Sequence, residues 1–229
     1  NHKGTAIDWD TKNIEFDHLE KNQGETKKFD LLFGSDGAFS AARLTYQLQH
    51  DRFQYQQYYI DFGYKELTIP GGPSGEFLME KNALHIWPRG NYMLIALPNL
   101  DGSFTCTLFF PFEGEPSFHS LKTKEAVQHF FEKQFADALL LMPTLIEDYF
   151  ANPTSSLVTV KCYPWVREDF FALIGDAAHA IVPFFGQGMN CGFEDCAVLN
   201  QLIEKHADNW PAVLEEYQQL RKPDGDAIA

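Results

Sequence analysis

The sequence predicts a mixed α/β fold with α+β character, and three features of its hydrophobic patterning support this prediction. Several short runs are continuously apolar or alternate apolar and polar residues, as β-strands do. Other segments carry apolar residues at the three- and four-residue spacing of amphipathic helices. In two places an apolar run ends in a turn of Gly and Asp and a helical segment follows, which is typical of strand–turn–helix units.

Length and composition are those of a chain with a large hydrophobic core. The 229 residues suffice for one large domain or two small ones, and 45% of them are aliphatic or aromatic. A formal charge of −14 argues against nucleic acid and anionic membranes as partners, because both would repel the chain. No apolar run reaches the ~20 residues that a membrane helix needs, and the polar start does not resemble a signal peptide. The cysteines show no C-x-x-C pair and no metal-ligand spacing, so we expect reduced thiols, a cytoplasmic location and no metal.

The N-terminal part predicts a hairpin, a strand and a helix. The predicted elements are a hairpin of residues 5–10 and 13–17, a polar turn at 22–25, a buried strand at 29–33 and a helix at 38–48. The strand ends in Gly34-Ser35-Asp36-Gly37, and a lone Asp-Gly pair is most often only a turn.

The central part is rich in predicted strands separated by Gly/Pro turns. These strands are predicted at 55–62, 64–69, 83–87, 92–97, 104–110 and 157–162. Asp101-Gly102 marks a hairpin whose facing side chains would be Met93, Ile95, Leu97, Thr105, Thr107 and Phe109. This face is either the core side of a sheet or the apolar wall of a ligand pocket. Residues 124–141 predict an amphipathic helix that Thr123 caps and Pro143 ends.

Residues 173–196, LIGDAAHAIVPFFGQGMNCGFEDC, combine a carboxylate with a glycine-rich turn before a helix. A buried strand at 170–174 ends at Gly175-Asp176, and helices are predicted at 194–205 and 210–221, the second ending before Pro223. Gly186 and Gly188 allow backbone N–H groups to approach a flat or anionic ligand, and the helix dipole favours negative charge there. Asp176 can accept hydrogen bonds from sugar-like hydroxyls. A flavin satisfies these groups, whereas the alternative is an ordinary strand–turn–helix.

The full strings resemble motifs of the FAD-dependent aromatic hydroxylases. Gly175-Asp176 and the following glycines match the GD motif of that family, and Asp36, Gly37, Ser40 and Arg43 match its DG motif. LHIWPRG (84–90), FTCTLFFPFE (104–113) and IVPFFGQGMNCGFEDC (181–196) narrow the resemblance to members that hydroxylate kynurenine. The resemblance implies part of a FAD/NAD(P)-binding Rossmann-like domain (1–50 and 161–229) and a β-sheet substrate domain with covering helices (51–160).

The resemblance also implies the residues of the site. The FAD-binding positions would be Gly175, Asp176, Pro183, Gly186, Gly188, Met189, Asn190, Asp36 and Arg43. The substrate-binding positions would be Met93, Ile95, Leu97, Thr107, Phe109, Phe184 and Phe185. No side chain is expected to be catalytic, because the flavin carries the chemistry, and His179 is expected to be structural rather than an acid–base residue.

The implied activity is hydroxylation of L-kynurenine to 3-hydroxykynurenine in tryptophan catabolism, with NADPH as co-substrate, O2 as oxidant and a flavin C4a-hydroperoxide as intermediate. The G-x-G-x-x-G of the family and its substrate-carboxylate ligands have no counterpart here. We therefore expect a piece of a longer protein that binds FAD weakly alone, and a homodimer is compatible with the resemblance. The alternatives are a flavin hydroxylase of another aromatic acid and a non-catalytic remnant of the fold.

Overall fold

The computed structural model describes residues 2–229, which form two compact units. The first unit runs up to Tyr58 and resumes at Val158–Ala229, and the second is Tyr59–Leu157. The strands are β1 (His2–Asp8), β2 (Asn13–His18), β3 (Gln23–Lys28), β4 (Leu32–Gly34), β5 (Gln54–Ile69), β6 (His85–Arg89), β7 (Tyr92–Pro98), β8 (Phe104–Pro111), β9 (Ser155–Tyr163), β10 (Val166–Arg167) and β11 (Phe171–Leu173). The helices are α1 (Ala41–Gln49), α2 (Lys124–Gln134), α3 (Ala136–Leu139), α4 (Leu145–Ala151), α5 (Asp176–His179), α6 (Gly188–His206) and α7 (Trp210–Ile228), with a 3-10 helix at Pro183–Phe185. The predicted mixed α/β class is confirmed.

The first unit begins with an antiparallel meander in the order β1-β2-β3. The predicted hairpin is confirmed, and Lys12 in its turn has a φ of 53°. β3 was not expected, because the prediction places only a polar turn in this region. Its sequence QGETKK is exposed throughout, so no hydrophobic period marks the strand, and its pairing with β2 is what identifies it.

A second sheet of the first unit has the order β10-β11-β4. β4 and β11 are parallel, with Leu32 opposite Phe171 and Gly34 opposite Leu173. The strands predicted at 29–33 and 170–174 are therefore confirmed in shorter form. Because parallel strands end at the same edge, the two Gly/Asp turns that follow β4 and β11 leave the sheet on one side.

Two helices of the first unit depart from prediction at their ends. α6 begins at Gly188 rather than at residue 194, and the prediction missed its first turns because glycine has low helix propensity. α7 continues through Pro223 to Ile228, so the predicted end is wrong. Proline removes one backbone hydrogen bond but keeps a helical φ. The ion pair of Lys222 with Asp226 links the residues on either side of Pro223. Gly225 also packs closely in this last part, where a Cβ would lie 3.2 Å from Trp165.

The core of the first unit lies between the β10-β11-β4 sheet and its helices. Its largest fully buried side chains are those of Tyr46, Trp165, Phe171, Tyr217 and Arg221. The aromatic rings meet edge to face, as Tyr46 and Phe171 do at 5.4 Å between centroids. This core supports the edge at which both Gly/Asp turns emerge.

The second unit is built on a sheet of order β6-β7-β8-β5-β9, whose core face packs on α2, α3 and α4. The strands predicted at 55–62 and 64–69 form one strand, β5, in which Gly63 leaves room for Phe112. The helix predicted at 124–141 is interrupted at Phe135, where φ is −137° and the side chain is fully buried. The Thr123 cap is confirmed, since its Oγ1 accepts the Ala126 N–H at 3.2 Å. The short helix α4 was not predicted.

Candidate functional site

The turn after β11 presents a carboxylate at the edge of the sheet. Gly175 has φ 59° and ψ −144°, a backbone conformation that is essentially restricted to glycine. Asp176 follows as the first residue of α5, and its side chain is exposed. A Cβ on Gly188 would lie 3.9 Å from Asp176 Oδ1, so the carboxylate stands beside the start of α6. The structure thus brings together Asp176 and Gly188, which are predicted site residues.

The glycine-rich segment before α6 leaves open space next to free backbone amides. Gly186 ends the 3-10 helix with φ 63°, and a Cβ there would meet no described atom within 4 Å. Gly188, Met189 and Asn190 form the first helical turn of α6. The expectation that they lie in a non-helical, glycine-rich loop before the helix is therefore wrong. The N–H groups in a first helical turn have no partner within the helix, so they can receive an electron-rich ligand group.

An apolar surface lies on the same segment. Pro183 opens the 3-10 helix, and the next two side chains, Phe184 and Phe185, are 39% and 87% exposed. Met189 and Phe193 are also exposed and stand one turn apart on α6. Large exposed apolar side chains beside a carboxylate and free amides are consistent with a site for a ligand that is partly aromatic.

The DG residues form internal contacts in this structure. Asp36 Oδ2 accepts the N–H groups of Ala41 and Ala42 at 2.7 and 3.1 Å, so Asp36 binds the N-terminus of α1. Arg43 is buried, and its Nη1 donates to Ala177 O at 2.7 Å. Nη2 of Arg43 donates to Ala38 O at 2.6 Å. Arg43 therefore connects the loop after β4 with α5 through backbone carbonyls.

The predicted apolar wall is one face of the β7–β8 hairpin in the second unit. The register is as expected, with Met93 opposite Phe109, Ile95 opposite Thr107 and Leu97 opposite Thr105. Phe109 is buried, while the other members of this face are partly or fully accessible. The side chains of opposite direction, such as Leu94 and Phe110, form the core of the unit. The interpretation of this face as the core side of the sheet is therefore wrong.

A buried polar network lies directly behind Gly175, and the sequence analysis missed two of its members. Asp195 of α6 is 0% exposed, and its Oδ1 accepts from Arg221 Nε of α7 at 2.8 Å. Its Oδ2 lies 2.6 Å from Nε2 of His179 and accepts the Gly175 N–H at 2.8 Å. Burial alone would raise the pKa of Asp195, but the hydrogen bond and charge of His179 and the bonds from Arg221 and Gly175 outweigh it, so this pKa is lowered.

His179 is buried in α5, and this position fits its expected structural role. Its ring lies 5.1 Å from that of Trp165, and Nδ1 has no hydrogen-bond partner among residues 2–229. An available signal for Asp195 is its spacing, because Cys191, Leu199 and Leu202 lie four, four and seven residues away on the buried stripe of α6. A carboxylate on an apolar helix stripe predicts a buried partner.

Two absences concern only the part of the chain that the structure describes. No helix of residues 2–229 combines the length and apolarity needed to cross a bilayer. Within the same residues, no group of three or more His, Cys, Asp or Glu side chains is arranged to hold a metal ion.

Comparison with known proteins gives agreement in sequence and in fold. The family model described as "FAD binding domain" matches residues 1–229. The kynurenine 3-monooxygenase of Flavobacterium johnsoniae is 58% identical over 92% of this chain, and that of Sus scrofa is 48% identical over 87%. The aligned parts are 47% and 42% of those two proteins, so the chain spans about half the length of the curated relatives it matches.

Solved structures with low sequence identity share the fold. The tetrameric form of 2-methyl-3-hydroxypyridine-5-carboxylic acid oxygenase is 20% identical, with a TM-score of 0.73 over 99% of this chain and 57% of its own. Klebsiella pneumoniae HpxO, solved with FAD and uric acid, is 18% identical, with a TM-score of 0.70 over 99% of this chain and 55% of its own. At these identities the likeness concerns the fold alone.

Proposed function

The chain belongs to the FAD binding domain family, and from this premise we propose that it carries most of the flavin site of an NADPH-using aromatic monooxygenase. The proposed reaction converts L-kynurenine, NADPH, a proton and O2 to 3-hydroxykynurenine, NADP+ and water. The observation that carries the proposal is the 58% identity over 92% of the chain with an enzyme named kynurenine 3-monooxygenase. Because the chain spans about half of that relative, the activity is proposed for the whole protein.

The edge after β11 fits FAD by the chemistry of its groups. The exposed carboxylate of Asp176 would accept hydrogen bonds from hydroxyls of the ribityl chain. The first-turn amides of α6, at Gly188, Met189 and Asn190, would donate to the carbonyl oxygens of the flavin ring. The absence of side chains at Gly175 and Gly186 leaves space for the cofactor, since a Cβ on either would meet nothing within 4 Å among the described atoms.

Bound FAD would supply the redox and oxygen-activating chemistry, and the protein would bind, orient and exclude water. We propose that Pro183, Phe184 and Phe185 stand between cofactor and substrate. Met93, Ile95, Leu97, Thr107 and Phe109 would line the substrate site. Apolar side chains at these places would keep water from the reacting oxygen, so that oxygen transfer to the ring competes with peroxide release.

Asp36 and Arg43 both form internal contacts, and we assign them different roles in the proposed site. Their observed partners are backbone groups of α1, of the loop after β4 and of α5, together with the hydroxyls of Ser40 and Tyr55. Both carboxylate oxygens of Asp36 accept hydrogen bonds from residues of α1 and its cap, but the side chain is exposed and lies at the same sheet edge as Asp176. We therefore propose that Asp36 contacts FAD or NADPH directly and that Arg43 supports the loop that carries Asp36.

The test uses the full-length gene product with FAD and follows NADPH oxidation with and without L-kynurenine. The expected result is a kynurenine-stimulated rate and a product one oxygen atom heavier by mass spectrometry. Unstimulated oxidation that yields only hydrogen peroxide, together with turnover of hydroxybenzoate or salicylate, would indicate a hydroxylase of another aromatic acid. A colourless protein without NADPH oxidation would contradict the enzyme proposal and favour a non-catalytic remnant.

A further inference from the structure

The Gly175-Asp176 turn is open on its outer side, so contacts behind it must hold it in place. A Cβ on Gly175 would meet no described atom within 4 Å, which shows that no close packing restrains this residue from the front. Its φ of 59° and ψ of −144° belong to a sparsely populated region that persists only where surrounding contacts impose it. The carbonyl of Gly175 is held by α5, accepting from Ala178 N at 2.8 Å and His179 N at 3.0 Å.

The amide of Gly175 is held by a single group, the carboxylate of Asp195. The N–H donates to Oδ2 at 2.8 Å, and the same oxygen lies 2.6 Å from Nε2 of His179. Oδ1 is held separately by Arg221 Nε at 2.8 Å. Asp195 thereby joins three helices to one peptide group, because it lies on α6, His179 on α5 and Arg221 on α7.

A carboxylate without any exposure is costly to bury unless it is paired and hydrogen-bonded. Both oxygens of Asp195 have partners, and one partner is the guanidinium of Arg221, which is 2% exposed. The network is therefore a compensated buried ion pair whose geometry permits little movement of the carboxylate. A rigid acceptor behind a strained glycine determines the direction in which the next residue leaves the turn.

We propose that Asp195 is a positioning residue for the cofactor site. Its carboxylate fixes the Gly175 amide and thereby holds Asp176 beside the first turn of α6, where Asp176 binds the cofactor. This inference rests on the proposed function, since it assigns Asp195 a role in FAD binding. Asp195 itself is buried behind the turn and acts only through Gly175 and Asp176.

The first experiment measures FAD affinity of the full-length gene product with Asp195→Asn and a matched control, Glu194→Gln. Glu194 is the neighbouring residue, its Oε2 lies 2.8 Å from Arg221 Nη1, and it is 58% exposed. Both changes remove one negative charge beside Arg221, but only the first alters the group that accepts from Gly175: Asn has one acceptor oxygen, so it cannot serve Gly175 and Arg221 at once. Asp195→Asn should weaken FAD binding about tenfold or more, as expected for one hydrogen bond to a charged group, and Glu194→Gln should change it less than about threefold.

A double-mutant cycle separates positioning from general destabilisation. If Asp195 acts through Asp176, then Asp195→Asn should weaken FAD binding little further in a protein that already carries Asp176→Ala. Additive losses in the double variant would overturn the proposal, as would equal effects of Asp195→Asn and Glu194→Gln. If the unmodified protein binds FAD and the Asp195→Asn variant binds it equally well, the inference is refuted and the proposed function stands. Unmodified protein that binds no FAD would refute both.

A second measurement covers the case in which Asp195→Asn does not fold. In the unmodified, FAD-free protein the Gly175 amide should exchange its hydrogen slowly, because it is bonded to a buried carboxylate. Exchange at the rate of an unstructured peptide would show that Asp195 does not hold the amide, and the proposal would fall.

Discussion

Replacing Arg43 with Met distinguishes a role in folding from a role in ligand binding. The substitution keeps much of the apolar stem but removes the donors to Ala177 O and Ala38 O, at 2.7 and 2.6 Å. It also removes the stacking of the guanidinium on Tyr55, whose ring centroid lies 4.9 Å away. At about 1.5–3 kcal/mol for each of the two bonds from a charged donor and about 0.5–1 kcal/mol for the stacking, the expected loss is about 3.5–7 kcal/mol before relaxation.

The assay is urea unfolding of the FAD-free, full-length gene product, followed by circular dichroism. With a slope of about 1–3 kcal/mol per molar urea, a loss of this size lowers the midpoint by at least about 1 M. Arg52→Met is the matched control, since Arg52 is exposed and should change the free energy of unfolding by less than about 0.5 kcal/mol. If Arg43→Met leaves the FAD-free stability unchanged and lowers only FAD affinity, then the guanidinium binds the ligand and our reasoning is refuted.

Three further predictions concern thiol reactivity, acid stability and packing. Among the cysteines, all of which lie within residues 2–229, Cys196 is the exposed one, and burial raises the pKa of Cys162 to about 12. A thiol reagent at pH 8 should therefore label Cys196 rapidly. Equally fast labelling of Cys162 in mass-spectrometric mapping would contradict this prediction. The pKa of Asp195 is lowered in the folded state, so its stabilising contribution is present above the unfolded value of 3.8 and is lost as pH falls through the folded value. The free energy of unfolding should therefore fall less steeply below about pH 4 in Asp195→Asn than in the unmodified protein, and parallel pH curves would disprove the assignment. Gly225→Val should lower stability by about 1–3 kcal/mol, because a Cβ there lies 3.2 Å from Trp165; unchanged thermal unfolding would show that α7 can shift.

Local patterns predicted the parts of the fold that depend on neighbouring residues. The β7–β8 register follows from alternation and from one Asp-Gly turn, and the pair Ile95–Thr107 lies where that rule places it. The Thr123 cap is likewise a matter of a few adjacent residues. The polar strand β3 has no hydrophobic pattern, so it could not be predicted from local sequence. It forms through backbone pairing with β2 and not through burial of its side chains.

Prediction also failed where contacts with residues distant in the sequence determine the local structure. Pro223 is a helix breaker by local rules, yet α7 continues because Gly225 behind it packs against Trp165 and His179. The network of Asp195 and Arg221 joins residues that are far apart in the chain, and the pair Glu194-Asp195 looks like an ordinary polar helix face. The site residues Asp176, Gly186 and Gly188 could be proposed from sequence. For Asp195 the sequence offers only its place on the buried stripe of α6, which does not identify its partners Gly175, His179 and Arg221.

The site combines an open front with a rigid back, and these two requirements explain the kind of residues found there. A Cβ on Gly175 or Gly186 would meet no described atom within 4 Å, so apolar packing does not immobilise the turn from this side. On the side of α6, a Cβ on Gly192 would lie 3.8 Å from the Gly175 Cα, so α6 passes close to the turn there. Directional hydrogen bonds fix a peptide group in little volume, and a buried carboxylate provides acceptors for several donors at once. The network of Asp195, His179 and Arg221 therefore fixes the Gly175 peptide group by directional hydrogen bonds.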